Sequence, residues 1–195
     1  MPNKELEKKR VDSLSNYVEK LSEKYSKINV VRVDLAYKKP YSENITLGDM
    51  ENDINHLFSN MRSKPSIFKD IVGYVLKKEH TEDKGMHAHV LFLFNGQKVQ
   101  KDAYKGDQIG DYWKKITDNK GSYHNCNRND YEKNGIGMID HTDKEKKNIL
   151  KEQVLPYLAK DEQSVDVTKR GKKTKALTRG VLPKTKSKAG RPRKK

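Results

Sequence analysis

Cysteine is nearly missing from this chain: Cys126 stands alone among 195 residues, so no internal disulfide can brace the fold. No stretch approaches the roughly 18 consecutive apolar residues that a membrane helix needs. Aromatic residues make up 8% of the chain and hydrophobic residues 33%, against 35% charged, which implies a small core under a heavily charged surface. The opening Met1-Pro2-Asn3-Lys4-Glu5 leads into charge and not into the apolar segment of a secretory signal. The expected location is therefore cytoplasmic, with no membrane partner. A G-x-x-x-x-G-K-S/T phosphate loop is also missing, which excludes that kind of nucleotide site.

Acid is absent from one end. Residues 167–195 hold 13 of the 42 Lys and Arg and no Asp or Glu, while the remaining 166 residues hold 29 basic and 27 acidic side chains. A nearly neutral body thus carries a cationic tail. Such a tail suits polyphosphate, because neutralising phosphates releases condensed counterions. The composition divides the chain into an N-terminal helix (1–27), a body (28–165) and a basic tail (166–195) expected to be disordered.

Val11, Leu14, Val18, Leu21 and Tyr25 recur at helical spacing. From Ile28 to Tyr37 the period changes to two: Val31, Val33, Leu35 and Tyr37 share one face, Arg32 and Asp34 the other. Thr46, with Asp49 three residues on, opens a second helix through Ile54, Leu57, Phe58 and Met61. Ile71 to Glu79 and Lys84 to Phe94 read as a hairpin turning at residues 81–85. Tyr104, Ile109, Trp113 and Ile116 suggest another helix, and residues 121–139 offer only short strand candidates. Thr142-Asp143-Lys144-Glu145 has the pattern of a capping box with Thr142 at the cap, and Pro156 must kink the helix that follows or begin a new one. The fold class is α+β: a central antiparallel sheet of about five strands with flanking helices.

The hairpin carries the chemistry. His87-Ala88-His89 puts two imidazoles on one strand face, and a Glu79 paired across from His87 would project to the same side. Two imidazoles and a carboxylate suit Mg²⁺ or Mn²⁺ with coordination positions left open. Zinc held structurally would call for four closed ligands, mostly cysteine. A tyrosine able to attack phosphate completes the pattern. The spacing Y-x-x-K occurs four times, at Tyr17, Tyr74, Tyr112 and Tyr157. Tyr17 belongs to the first helix and Tyr74 to the core side of its strand, leaving Tyr157 with Lys160, and Tyr112 as the alternative.

His87-Ala88-His89 and Tyr157-Leu158-Ala159-Lys160 together resemble the motifs of the HUH endonucleases, named for histidine-hydrophobic-histidine. These include rolling-circle replication initiators, conjugative relaxases and certain transposases. Arg32-Val33-Asp34-Leu35 is similar to the first strand motif of initiators in the inovirus (filamentous phage) gene-two-like group. The resemblance spans roughly residues 28–163 and implies a sheet related to the ferredoxin and RNA-recognition folds. It implies metal-dependent nicking and joining of single-stranded DNA: His87, His89 and Glu79 hold the ion, Tyr157 becomes joined to the 5′ end, and Lys160 steadies charge. Arg32 is expected to contact the DNA strand. Expected partners are single-stranded and AT-rich duplex DNA with a host helicase and polymerase. Transposition, mobilisation, or DNA binding without catalysis are the alternatives. At the tail, Gly190-Arg191-Pro192-Arg193 looks like an AT-hook, whose arginines enter a narrow minor groove.

Overall fold

The first helix, α1 (Lys4–Lys24), is capped by Asn3, whose side chain accepts from the Leu6 amide. Strand β1 (Lys27–Tyr37) follows at once, and a short 3₁₀ turn leads to α2 (Leu47–Ser59) and α3 (Pro65–Phe68). The hairpin β2 (Ile71–Thr81) and β3 (Gly85–Asn95) comes next, then α4 (Asp102–Ile116), β4 (Gly121–Asn125), β5 (Gly137–Asp140) and α5 (Lys144–Ile149). A π turn at Leu150–Val154 delivers the chain to α6 (Leu155–Ala159). The computed structural model describes residues 3–161, 168–169, 172–173 and 175–183. Past α6 it shows β6 (Thr168–Lys169) paired with β7 (Lys172–Lys173), and β8 (Leu177–Arg179).

The architecture is α+β, with an antiparallel sheet in the order β4-β1-β3-β2-β8. β5 also pairs with β1, along the half that β4 leaves free: β4 takes residues 33–37 and β5 takes residues 27–30. Between them the Asn127 side chain replaces the missing ladder, accepting from the Arg32 amide at 2.8 Å and donating to the Val30 carbonyl at 2.9 Å. These are the short strands hinted at in residues 121–139.

Alternation divides the core in two. Val31, Val33, Leu35, Ala88, Val90, Phe92 and Phe94 face α2, α3 and α4. Val30, Val75, Leu91 and Leu93 face α1 and the segment Leu150–Leu158. Helix α1 is accordingly not an appendage. Its Leu14, Tyr17, Val18 and Leu21 are buried on the sheet. Gly73 permits that approach, since a Cβ there would lie 2.4 Å from the Tyr17 hydroxyl oxygen. On this second face the polar residues of β1, β2 and β3 lie toward one end of the strands, where α6 meets them through Tyr157 and Lys160.

One expectation needs correction. Thr46 does cap α2 in a reciprocal box with Asp49, but α5 is capped by Asp143, not Thr142. The Asp143 carboxylate accepts from the Lys146 amide at 2.9 Å, while Thr142 donates to Asp140. An ionised carboxylate is the stronger acceptor at a helix N-terminus. Within the tail expected to be disordered, residues 175–183 are placed: β8 pairs with the outer edge of β2 and Ala176 is buried. The edge of β2 has unpaired backbone groups, and even a short, basic segment can satisfy them. Truncation before residue 175 should therefore lower stability by about 1–3 kcal/mol in a denaturant melt. Truncation after Pro183 should leave the melt unchanged; equal melts for both truncations would deny β8 its place on the sheet.

Candidate metal centre

His87 and His89 stand two residues apart on β3, so strand geometry puts both rings on one face. Their centroids are 5.4 Å apart and the rings nearly perpendicular, at 85°. The hairpin register supplies the third donor, because Glu79 is the cross-strand partner of His87. Glu79 Oε2 lies 3.4 Å from His87 Nε2 and 3.2 Å from His89 Nε2. All three residues are buried, and their ligand atoms lie within 4.8 Å of one another.

The outward nitrogens are held as well. His87 Nδ1 lies 2.9 Å from the Gly85 carbonyl oxygen, and His89 Nδ1 lies 2.8 Å from Asp34 Oδ1. These acceptors on Nδ1 turn the Nε2 of each ring toward Glu79, where it would be free to ligate an ion. Gly85 reaches this geometry at φ +67°, a conformation that glycine adopts without strain. Ligands at right angles about an ion, each about 2.1 Å from it, sit about 3 Å apart. The spacings here are near that value, and the N, N, O donor set with two fixed imidazoles fits a divalent ion. The cluster could therefore hold a metal ion.

Charge is tightly balanced around it. Burial alone would raise the Glu79 carboxyl, but hydrogen bonds from both imidazoles and the nearby Lys77 ammonium hold it well below the usual carboxylate range. For His89, burial works against the charged ring, yet the Asp34 and Glu79 carboxylates win and lift its pKa above the ordinary value. Asp34 is lowered despite its burial, by His89 and Arg32. The two carboxylates thus favour a proton on His89, and a metal would take its place.

Tyr157 closes the site from α6. The ring is 40% exposed, its hydroxyl lies 3.4 Å from His89 Nε2, and its edge meets the His89 ring with centroids 5.3 Å apart. Burial raises the phenol pKa, and the Arg32 charge opposes that rise. Lys160 is the C-cap of α6, with its ammonium 5.9 Å from the Tyr157 ring centroid. Tyr112, the alternative nucleophile, lies on α4 and is buried on the other face of the sheet, against Phe68.

Arg32 shares the metal-side face, as the strand period predicts; its guanidinium donates to Asp34 at 3.2 and 3.3 Å and covers the Tyr157 ring at 4.7 Å. An arginine that is alone on a strand face turns inward when a carboxylate two residues away and an aromatic ring are both in reach. Two other residues escaped the sequence reading. Asp34 had a signal, since it lies on the polar face of β1 directly across from His89. Lys77, the other cross-strand neighbour of His89, is fully buried. Burial lowers its pKa, and Glu79 pulls it back up. The AT-hook-like residues Gly190, Arg191, Pro192 and Arg193 lie outside the described residues.

An α+β sheet protein with a buried Glu-His-His cluster beside a half-exposed tyrosine is thus defined. The chain belongs to the family described as the YagK/YfjJ C-terminal domain, whose model matches residues 2–175 and so takes in every residue of the cluster. Comparison with curated proteins and with solved structures gives no match. Among the described residues, no helix is long and apolar enough to cross a membrane.

The raised His89 pKa has a measurable sign. Its contribution to stability is complete below the ordinary histidine value of about 6.5 and is lost as pH rises through the folded value. In protein treated with chelator, the unfolding free energy should fall over that range, by at most about 1.4 kcal/mol per pH unit. His89→Gln should remove this loss. A slope identical in the variant would contradict the charge arrangement described.

Proposed function

We propose that this protein nicks and rejoins single-stranded DNA by transesterification, as the resemblance to HUH endonucleases implies, with Tyr157 as nucleophile beside a divalent ion. The observation that carries the reading is the Tyr157 hydroxyl, 3.4 Å from His89 Nε2 on the open side of the Glu79-His87-His89 cluster. Tyr157 remains 40% exposed, so a substrate can reach it.

A bound Mg²⁺ or Mn²⁺ would supply Lewis-acid polarisation of a scissile phosphate. Imidazole ligands favour Mn²⁺ over Mg²⁺, which prefers oxygen and retained water. The remaining steps belong to the chain. The Tyr157 oxygen attacks phosphorus, forming a tyrosyl–O–P bond while the P–O3′ bond breaks. The phenol gives up one proton and the departing 3′ oxygen gains one, so phosphodiester linkages are conserved and the strand can be resealed. With the phenol pKa raised by burial, developing phenolate charge needs a cation, and Arg32 over the ring supplies one. Lys160, exposed at the end of α6, can neutralise phosphate oxygens.

The biological setting follows from the same resemblance. A replication initiator of a phage or mobile element, acting in the cytoplasm, would make one nick and leave unwinding to a host helicase and extension to a polymerase. A transposase or mobilisation relaxase would use the same chemistry. The basic tail would hold such an enzyme on AT-rich duplex DNA near its site.

Covalent trapping tests the reading. Incubated with Mn²⁺ and a 3′-end-labelled library of random-sequence single-stranded DNA, the protein should yield a denaturant-resistant labelled adduct. Chelator and Tyr157→Phe should each reduce that adduct by at least about 100-fold, and Tyr112→Phe should leave it intact. No adduct from the unaltered protein, or an adduct surviving Tyr157→Phe, would overturn the assignment.

A further inference from the structure

Burying a lysine ammonium is costly, and an apolar residue of similar volume is often the more stable choice. Lys77 is nonetheless completely buried in the sheet, on the face that carries the histidines. Its contacts are specific. The ammonium donates to the backbone carbonyl of Lys160, the residue that ends α6. It also lies 3.5 Å from Glu79 Oε1. Glu79 presents its other oxygen, Oε2, to the two imidazoles. One buried cation therefore touches the metal-ligating carboxylate on one side and the tyrosine helix on the other.

The end of α6 needs such an anchor. The helix spans only Leu155–Ala159, too short to be stable by itself, and it follows a π turn. Its last carbonyls have no partner within the helix. Arg10 from α1 reaches the Ala159 carbonyl at 3.5 Å and Asp161 at 2.9 Å, and Glu7 accepts from the Asp161 amide at 2.7 Å. Those contacts tie α6 to α1. Lys77 alone among these ties it to β2, the strand that carries Glu79.

We propose that Lys77 is a positioning residue that fixes the Tyr157 helix in register with the metal ligands, by bridging the Lys160 carbonyl and the Glu79 carboxylate. The inference deepens the nicking reading and rests on it for its effect on rate. Its structural half, the tether of α6 to β2, stands independently. Glu79 is held by the oxygen that faces away from the histidines, which reserves Oε2 for the centre and makes it a one-oxygen ligand. Lys160 contributes to this bridge through its main-chain carbonyl.

Two measurements on Lys77→Met test the inference. Hydrogen exchange in metal-free protein should quicken about tenfold or more at the amides of residues 157–161 and stay unchanged through β3. In the trapping assay with Mn²⁺ and the random single-stranded library, the rate at saturating DNA should fall about 100-fold, the loss expected for a nucleophile misplaced by about 1 Å. The DNA concentration for half-maximal rate should stay within a fewfold, because Lys77 does not touch DNA. If Lys77→Met does not fold, Lys77→Gln, which keeps a donor and loses the charge, takes its place in both arms. Unchanged exchange in α6, or a saturating rate equal to that of the unaltered protein, overturns the proposal. Failure of the unaltered protein to form any adduct would instead overturn the nicking reading, with the exchange arm still deciding whether the tether exists.

Discussion

One buried carboxylate organises this end of the molecule. Glu79 lies between two imidazole nitrogens and an ammonium, with Oε2 at 3.4 and 3.2 Å from the histidines and Oε1 at 3.5 Å from Lys77. A carboxylate in a poorly solvated site is tolerated only when every lone pair is met by positive charge or hydrogen-bond donors. Its neighbours are thereby constrained in turn. His89 needs Asp34 on its far nitrogen, Asp34 holds Arg32, and Arg32 lies over Tyr157. Each of these residues is fixed by one closer to Glu79, so the tyrosine is placed by a chain of polar contacts as well as by the packing of Leu155 and Leu158.

The parts of this arrangement that sit within a strand period or a hairpin register were legible in the sequence. His87 and His89 share a face because the period is two, and Glu79 opposes His87 because the hairpin turns at residues 81–85. Tyr157 stood out by its apolar neighbours and Pro156, which does begin a new helical turn. What escaped depends on strands distant in sequence or on small margins. Asp34 reaches His89 only through the pairing of β1 with β3, a contact between residues 55 apart in number. Lys77 looked like one more lysine in a chain with 42 basic residues, and nothing in its local sequence marks it as buried. The strand β8 escaped because composition describes a segment's average, whereas a vacant sheet edge recruits whatever backbone is near.

The fold explains why a small core suffices. β1 is flanked along its full length, by β3 on one side and by β4, β5 and the Asn127 side chain on the other. Helices then pack on both faces, with α1 and α6 on the second. On that second face the polar row Lys77, His89 and Asp34 runs across β2, β3 and β1, with Lys77 and His89 buried. A cluster seated on a sheet has a rigid floor, and the half-exposed Tyr157 beside it is what solvent reaches. The proposed transesterification would use that combination, since the nucleophile must be held near the ion while the substrate reaches it.

Binding of a divalent ion by Glu79, His87 and His89 is the claim from which the rest of the account follows. Crystals soaked in Mn²⁺ and measured for anomalous scattering test it most directly. The account predicts one strong peak about 2.0–2.3 Å from Glu79 Oε2 and from Nε2 of both histidines, with the Tyr157 ring still beside His89. A peak bound elsewhere, or none at this cluster with Mn²⁺ in excess, would contradict it.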